Sequence, residues 1–403
     1  FTHQTIAELA SVAASAKQET VVGSISSERS INLPYALSPM QEGILFHCLM
    51  APKTNVYFEQ LHMALQGDLD CAVFEEAWKM ILSRHAVLRS TFAWENLESP
   101  QQQVHSNIDF SIHFKDWRDR SKDAQKCDLD AYLKSDRDRG FDLSQAPLMR
   151  VSVFQCSDTD WRWVWSFHHI LLDGWSLAHV CRDLLVCYQS NIDDSKILLP
   201  APKPYHHYID WFQDKSSDGK AEAYWKKQLG DFSQPNVWAG DRGAHLSKEK
   251  SATHEEVIIS LPAQETEKLQ TWGRKHHITF NTLILGAWAQ LASRYCGSDD
   301  VVFGVTVSGR PSELEGADSM VGLFINSLPI RVNVDSSKQV FDWLNNLQSQ
   351  QSELREFEHS KLTDIQGWSG VRQGTPLFES LFIFENYPMD ESLRERFGNI
   401  SVA

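Results

Sequence analysis

The sequence predicts a protein of two lobes that mix helices and strands, in the α/β or α+β class. The chain has 403 residues, which exceeds the ~100–200 residues of a usual domain. Segments with helical periodicity and segments with strand alternation follow one another irregularly in both halves, unlike the regular repeat of a parallel barrel. Between the halves, the Pro-rich segment KILLPAPKP at 196–204 is typical of a crossing between lobes.

Composition excludes several kinds of partner and location. With 38 Lys and Arg against 53 Asp and Glu, the formal net charge is −15, which argues against a general nucleic-acid binder and against an anionic membrane surface. No apolar run approaches the ~18–20 residues of a spanning helix. The seven Cys are scattered and no CxxC occurs. We therefore expect a reduced, cytoplasmic protein whose thiols mostly lie in the core.

The first 30 residues differ from the rest of the chain. Residues 1–16 have the periodicity of a short helix. Residues 17–30, KQETVVGSISSERS, are Ser-rich without sustained apolar periodicity, which is typical of a linker. We therefore expect the tail of a preceding domain here, with the main globular body beginning near Ile31.

Local signals predict the order of elements in the globular body. Ser38 as N-cap, Pro39 at the first helical position and Gln41 at the third form a capping box, which predicts a helix over 38–50. Residues 161–168 alternate like a strand, with the tryptophans on one face. The other predicted helices cover 71–83, 176–188, 218–229, 263–276, 280–294 and 337–355, and the other predicted strands cover 147–156, 255–261, 301–307, 324–333 and 378–385.

The segment HHILLDGWS, residues 168–176, carries the densest chemical signal, because it joins an aromatic strand to a helix. Adjacent histidines in a strand point to opposite sides, so one of His168 and His169 faces a cavity while the other packs. An imidazole suits proton transfer or the holding of an amine at neutral pH. Asp173 can pair with backbone N–H groups or an Arg, and Gly174 permits a sharp bend. The plainer alternative is a pair of core-edge histidines.

Other catalytic signatures are absent from the sequence. The pairs His206-His207 and His276-His277 lack the spacing of a zinc site, so no metal is expected. There is no GxxxxGK[ST], GxGxxG or GxSxG, which argues against a phosphate-binding loop and against the usual serine-hydrolase elbow.

HHILLDGWS resembles the HHxxxDG motif of the chloramphenicol acetyltransferase superfamily, which includes acyl-CoA-dependent acyltransferases. Within that superfamily, further segments resemble condensation domains of nonribosomal peptide synthetases, and the resemblance covers roughly residues 31–403. These segments are YALSPMQEGILFH (35–47), RHAVLRSTF (84–92), FDLSQAPLMRVSVF (141–154), YIDWF (208–212), SGRPSELEGADSMVGLFINSLPIRV (308–332) and LFESLFIFENYP (377–388). FTHQTIAELA at the start resembles the last helix of a peptidyl carrier domain.

The resemblance implies two chloramphenicol acetyltransferase-like lobes that form a V-shaped pseudo-dimer with a central channel. It divides the chain into a carrier tail and linker at 1–30, an N-terminal lobe at 31–200 and a C-terminal lobe at 201–403. Family members continue past the FENYP segment to a final strand, so the second lobe is expected to be incomplete at its end, Ala403.

The implied reaction is peptide-bond formation, in which the amine of a carrier-bound acceptor attacks the thioester of a carrier-bound donor. His169 is implied to be the catalytic histidine, acting on the acceptor amine as a base or as a positioning group; the sequence leaves both open. His168 and Asp173 are implied to support it. Arg310 is the first candidate partner of Asp173, and Arg89 is the second.

Further residues are expected around the channel. Gly174 is implied to keep the cavity floor open. Ser308 is a candidate for oxyanion binding or for capping its turn, and Asn326 for lining the channel or for serving only its turn. Trp175 and Ser176 are candidate channel residues. No metal or organic cofactor is expected in the domain, because phosphopantetheine arms of upstream and downstream peptidyl carrier domains deliver the substrates, beside a neighbouring adenylation domain.

Three alternatives remain at this point. An epimerization domain shares the motif, although LSPMQEGILFH and MVGLFINSLP are more similar to condensation domains. A CoA-dependent acyltransferase is disfavoured by the carrier-like start, and a recruiting domain without turnover is disfavoured by the intact histidine motif. The side chains of donor and acceptor, and the L or D configuration of the donor, are not visible in the sequence.

Overall fold

The computed structural model describes residues 33–52, 54–195, 199–216, 219–238, 256–386 and 400–402. The helix expected over 1–16 and the linker expected over 17–30 lie outside the described residues. The chain divides into two compact units, Phe1–Leu33 and Pro34–Ala403. The elements below belong to the second unit.

Eleven strands and ten α-helices make up the described part of this unit. The strands are β1 Tyr35–Ala36, β2 Phe58–Gly67, β3 Ser90–Ala93, β4 Gln101–Val104, β5 His113–Asp116, β6 Met149–Gln155, β7 Asp160–His168, β8 Asp300–Val307, β9 Asn326–Asn333, β10 Leu381–Phe382 and β11 Ile400–Val402. The helices are α1 Pro39–Met50, α2 Cys71–Arg84, α3 Lys122–Arg139, α4 Gly174–Ile192, α5 His206–Lys215, α6 Lys220–Leu229, α7 Ala263–His276, α8 Phe280–Cys296, α9 Val340–Leu354 and α10 Leu362–Trp368.

The capping box predicted at the start of α1 is confirmed. The Ser38 hydroxyl accepts a hydrogen bond from the Gln41 backbone N–H at 3.2 Å, and the Gln41 side chain accepts one from the Ser38 N–H at 3.0 Å. Two N–H groups that the first turn leaves without helical partners are thereby satisfied. The predicted helix over 71–83 is likewise confirmed as α2, with Asp70 as its N-cap.

The first lobe is built on a five-stranded sheet in the order β11-β2-β7-β6-β5. β7 lies in the middle and pairs antiparallel with β2 and β6. Its tryptophans share one face, as predicted, and pack under α2, where the Trp78 and Trp165 rings lie 5.0 Å apart. Burial of these large apolar rings supplies the main driving force for this lobe. The sheet therefore holds the end of β7, and with it the histidine motif, against a rigid core.

The second lobe has its own smaller core around a three-stranded sheet in the order β10-β8-β9. β8 and β9 are antiparallel, with Phe303 opposite Ile330, and both of these residues are buried. Trp225 on α6 and Leu344 on α9 belong to the same buried cluster. A third sheet, β1-β4-β3, covers the start of the first lobe.

The two halves of the chain interpenetrate. Val321 and Leu323, from the second half, are buried within the core of the first lobe. β11 at residues 400–402 pairs with β2, with Ile400 opposite Gly67. This short strand therefore belongs to the first sheet, although the sequence analysis assigned it to a second lobe over 201–403.

Several sequence predictions about local structure are wrong or incomplete. Residues 256–262 contain no strand, and Ile259 is 84% exposed, since no described strand pairs with them. The strand predicted over 378–385 is reduced to Leu381–Phe382. Strands β2 to β5 and helix α3 were not identified, because their amphipathic patterns are weak and their burial depends on tertiary neighbours.

The cysteines do not mostly lie in the core. All seven are free, only Cys181 and Cys187 are buried, and Cys127 is exposed. Most of the thiols sit at partly accessible positions, since small side chains are accommodated equally well at the margin of a core. Within the described ranges, every helix is too short or too polar to cross a bilayer.

We expect Ser38→Ala to lower the free energy of unfolding by about 1 kcal/mol, because the buried Gln41 N–H loses its capping partner. Urea unfolding followed by circular dichroism measures the change. The exposed residue Ser99 provides the control, and Ser99→Ala should leave the midpoint unchanged. Equal midpoints for both variants would show that the capping box does not stabilise the fold.

Candidate functional site

The histidine motif lies in the turn between β7 and α4, as the sequence predicted. Neighbouring backbone holds the turn on both sides: the His168 N–H donates to the Leu148 carbonyl at 3.0 Å, and the His169 N–H donates to the Tyr57 carbonyl at 2.8 Å. Backbone hydrogen bonds alone therefore attach the turn to the first sheet and to the loop beside it.

His169 is half-buried, and its ring is fixed in one orientation. Its Nδ1 lies 2.9 Å from the Leu172 carbonyl oxygen. Because a carbonyl only accepts, Nδ1 carries the hydrogen, and in the neutral ring Nε2 carries the lone pair. The turn thus leaves Nε2 as a hydrogen-bond acceptor of a half-buried ring, without a partner among the described residues.

His168 has the opposite environment. It is 7% exposed, its Nδ1 accepts the Ile170 N–H at 3.2 Å, and its Nε2 faces the Cys48 sulfur at 3.6 Å. Burial lowers the pKa of His168 to about 4, and the neighbouring His169 adds to this effect. His168 is therefore neutral near pH 7 and packs as a support, whereas His169 remains accessible.

Asp173 connects three segments of the chain. It is 2% exposed, and as the N-cap of α4 its Oδ1 accepts the Ser176 N–H at 2.8 Å. Its Oδ2 accepts the Phe324 N–H at 3.0 Å. Arg310 Nη2 donates to both carboxylate oxygens, at 2.9 and 3.2 Å. These hydrogen bonds join the start of α4 to the segments that carry Phe324 and Arg310.

Of the two arginines considered as partners of Asp173, the structure selects Arg310. Arg310 Nη1 also donates to the carbonyls of Ala317 and Met320 at 2.6 and 2.9 Å. Arg89 does not approach Asp173. It donates to the Leu82 carbonyl at 2.7 Å and to the His105 carbonyl. The second candidate was therefore wrong, because the Arg89 side chain is occupied by backbone carbonyls near the end of α2 and just after β4.

Gly309 allows Arg310 to reach Asp173. Gly309 has a φ of +62°, and a Cβ at this position would lie 1.8 Å from the Phe324 carbonyl oxygen. Only glycine permits this approach. The SGRP turn of the second half can therefore lie directly against the segment that donates to Asp173.

Gly174 and Ser176 have different structural positions from those expected. Gly174 is the first residue of α4 and has helical backbone, so the sharp turn falls before it, at residues 169–171. Ser176 is fully buried, and its hydroxyl exchanges hydrogen bonds with Gly322. Because it is enclosed, Ser176 is not a channel residue, and that expectation was wrong.

Ser308 and Asn326 hold the second-half loops. The Ser308 hydroxyl accepts the Arg310 N–H at 3.5 Å and donates to Glu358 at 3.4 Å, which agrees with the turn-capping alternative. Asn326 is 6% exposed, and its amide donates to the carbonyls of Glu358 and Ser360 at 2.9 and 2.8 Å. The expectation that Asn326 lines a channel was wrong, because its side chain is buried and its amide N–H groups are donated to these two carbonyls.

Two cavities flank the turn. One, of about 950 Å³, has Trp175, Ser308, Arg310 and Glu358 in its wall. The other, of about 450 Å³, includes His168 in its wall together with apolar and aromatic side chains of α1 and the loops beside it. His169 belongs to neither wall. Its half-buried ring follows His168 directly in the chain.

Glu358 was missed by the sequence analysis. It lies in the segment REFEHS after α9, and its Oε2 accepts the Gly309 N–H at 2.8 Å. Burial raises the pKa of Glu358. Nothing in the local sequence separates it from other surface glutamates, because its burial arises from a loop about 50 residues earlier. Among the described residues, no three His, Cys, Asp or Glu side chains are grouped to hold a metal.

The geometry agrees with one protein family. The family model of the condensation domain matches residues 32–399. The chain therefore belongs to the condensation-domain family. Two proteins of the linear gramicidin synthase of Brevibacillus parabrevis are similar to it, one 43% identical over 371 residues and the other 40% identical over 379 residues. These matches cover 92% and 94% of the chain but only 5% and 7% of the relatives, so the chain spans a small part of their length.

Solved condensation domains share the fold. The first condensation domain of the calcium-dependent antibiotic synthetase, with a substrate analogue, matches with a TM-score of 0.71 at 19% identity, over 92% of this chain and 84% of that one. A mutant starter condensation domain of rhizomide synthetase, with C8-CoA and Leu-SNAC, has a TM-score of 0.71 at 20% identity, over 87% and 78% of the two chains. The predicted chloramphenicol acetyltransferase-like fold is confirmed.

We expect acid to destabilise the protein through His168. Its pKa is lowered to about 4 in the folded state, against ~6.5 when unfolded. As the pH falls below ~6.5, the unfolded state binds a proton that the folded state does not accept until about pH 4, so stability decreases over this interval, by up to about 3 kcal/mol.

His168→Asn tests this acid effect, since an Asn side chain can still accept the Ile170 N–H. Urea unfolding at about pH 7 and about pH 4.5 should show a larger loss in the wild type than in the variant. Parallel losses in the two proteins would assign the acid sensitivity to other groups.

We expect Arg310→Ala to lower the free energy of unfolding by about 3 kcal/mol or more, because it leaves the buried Asp173 carboxylate without its cation. Adding Asp173→Asn to that variant should recover part of the loss, since no buried charge then remains. Arg118→Ala, which removes an exposed ion pair with Asp116, serves as the control and should change stability little. Chemical denaturation measures all three, and equal effects for Arg310 and Arg118 would contradict the assignment.

Proposed function

We propose that this domain forms an amide bond between two thioester-bound substrates. The observation that carries the proposal is the His169 ring, whose Nδ1 is bound to the Leu172 carbonyl and whose Nε2 remains available as an acceptor. Condensation domains of nonribosomal peptide synthetases catalyse this class of reaction, and the chain belongs to their family.

The reaction needs an amine, a thioester and one group that accepts a hydrogen bond from the amine. His169 Nε2 accepts a hydrogen bond from the acceptor's α-amine while the amine lone pair attacks the donor carbonyl. The C–N bond forms, the C–S bond breaks, and the amine proton passes to the leaving thiolate through the imidazole or water. Because an α-amine has a pKa near ~8, a usable fraction is neutral at pH 7. Positioning by His169 can therefore contribute as much as proton removal.

The residues around His169 keep its ring in place. Asp173 and Arg310 join the start of α4 to the second half of the chain through bonds of 2.9 and 3.2 Å. Neutral, buried His168 packs behind the turn. We propose that these residues position His169 and do not contact substrate. Trp175, in the wall of the larger cavity, is proposed to contact a substrate arm.

A solved member of the family suggests how the substrates are delivered. The starter condensation domain of rhizomide synthetase is described with C8-CoA and Leu-SNAC, an acyl thioester and an aminoacyl thioester. For this chain we propose that phosphopantetheine arms of an upstream and a downstream peptidyl carrier domain bring equivalent groups, with an adenylation domain as neighbour. We also propose a carrier tail and linker at 1–30, and lobes at 31–200 and 201–403, except that residues 400–402 complete the sheet of the first lobe. We further propose a cytoplasmic location, which the seven free cysteines support.

Two related activities are distinguishable by experiment. Epimerization would act on one carrier-bound residue and would exchange its Cα hydrogen for deuterium without a second substrate. A CoA-dependent acyltransferase would accept CoA thioesters as well as carrier thioesters. The amide-forming reaction instead requires both loaded carriers.

We expect His169→Ala to reduce amide formation by about 10²-fold or more, because the acceptor amine loses its partner at Nε2. Intact-mass analysis of donor- and acceptor-loaded carriers after mixing with the domain measures the product. The exposed residue His113 offers a matched control, and His113→Ala should retain activity. Full activity of His169→Ala, with an unchanged circular dichroism spectrum, would remove His169 from the mechanism.

A further inference from the structure

The larger cavity contains a carboxylate that the proposed mechanism does not use. Glu358 is half-buried in the cavity wall. Its Oε2 accepts the Gly309 N–H at 2.8 Å and the Ser308 hydroxyl at 3.4 Å. These bonds attach the carboxylate to the same SGRP turn whose Arg310 binds Asp173. Among the described residues, its other oxygen, Oε1, receives no hydrogen bond.

This carboxylate also lacks a paired cation. Arg310, in the same cavity wall, is committed to Asp173 and to two backbone carbonyls. Arg355, also in this wall, attracts the Glu358 charge and opposes the effect of burial on its pKa, but no described Lys or Arg forms an ion pair with Glu358. Burial raises the pKa of Glu358 because the anion has lost water without gaining a full counter-charge. A ligand that brings a positive charge to Oε1 would offset this desolvation.

The neighbouring acidic groups of the cavity wall differ in this respect. Glu313 is paired with Lys215 at 2.5 Å, and Glu356 is exposed to solvent. Of the three described glutamates in this wall, Glu358 alone combines partial burial, a fixed backbone contact and an unbonded oxygen. An ammonium group at Oε1 would form a charge-assisted hydrogen bond in a partly desolvated site.

We propose that Glu358 Oε1 binds the α-ammonium group of the acceptor aminoacyl thioester in the larger cavity. This inference rests on the proposed function and adds to it the chemical feature by which the acceptor is recognised. A donor whose nitrogen is already acylated carries no ammonium, so Glu358 distinguishes the acceptor from the donor. The cavity that holds the bound acceptor also has Trp175 in its wall. The ammonium group then releases one proton to solvent water, and the neutral amine leaves Glu358 and reaches His169 Nε2, where it attacks the donor thioester.

Glu358→Gln tests the inference, because glutamine keeps an oxygen for the Gly309 N–H but removes the negative charge. With loaded donor carrier in excess, the KM for an alanyl-pantetheine acceptor should rise about ten-fold or more, while the KM for the donor stays unchanged. Glu356→Gln, in the same cavity wall, is the matched control and should leave both constants unchanged. An unaltered acceptor KM in a folded Glu358→Gln protein overturns the proposal.

A binding measurement on the wild type separates this inference from the proposed function and from any folding defect. Alanyl- and propionyl-pantetheine, joined through a non-hydrolysable amide, differ only in the α-amine. Calorimetry should show the alanyl compound binding about ten-fold more tightly to the wild type, and equally tight binding of the two compounds would refute the role of Glu358. If loaded carriers gave no amide product while the ten-fold preference for the alanyl compound remained, the proposed reaction would be refuted. The ammonium-binding role of Glu358 would then still be supported.

Discussion

The buried ion pair between Asp173 and Arg310 is the interaction on which the site depends. Asp173 begins α4 and follows the histidine turn, whereas Arg310 comes from a loop of the second half of the chain, and their atoms lie 2.9 Å apart. Further hydrogen bonds to two buried charges offset the cost of removing them from water. Arg310 is bonded through Nη1 and Nη2, whereas its buried Nε has no partner among the described residues. Here the carboxylate also accepts backbone N–H groups of Ser176 and Phe324. The pair therefore holds the two halves in one arrangement and fixes where the turn points.

The adjacent histidines acquire different chemistry from this arrangement. His168 is enclosed by the first lobe, and burial lowers its pKa to about 4, so it is a neutral packing group. His169 is bound through Nδ1 to the Leu172 carbonyl, and its Nε2 receives no hydrogen bond from the part of the chain that the structure describes. The two histidines differ because His168 ends β7 and is buried, whereas His169 lies in the turn that follows the strand.

Much of the fold and part of the site could be predicted from local sequence. The capping box at Ser38 and the aromatic alternation in β7 depend only on neighbouring residues, so the sequence could predict them. Arg310 as the partner of Asp173 came from a family resemblance. The exclusion of Arg89, the enclosure of Ser176 and the occupation of Asn326 by two carbonyls were not readable, because each depends on contacts with segments far away in the chain.

The sequence by itself determined the element types around the motif, the family and the histidine expected to react, since capping, alternation and motif spacing act over a few residues. The tertiary structure alone decided which side chains remain available. Glu358 became a partly desolvated carboxylate because it packs against the loop that carries Gly309, 49 residues earlier in the chain. The last strand, β11, joined the first sheet rather than the second. Burial and pairing of this kind depend on the packing of distant segments, which local patterns do not encode.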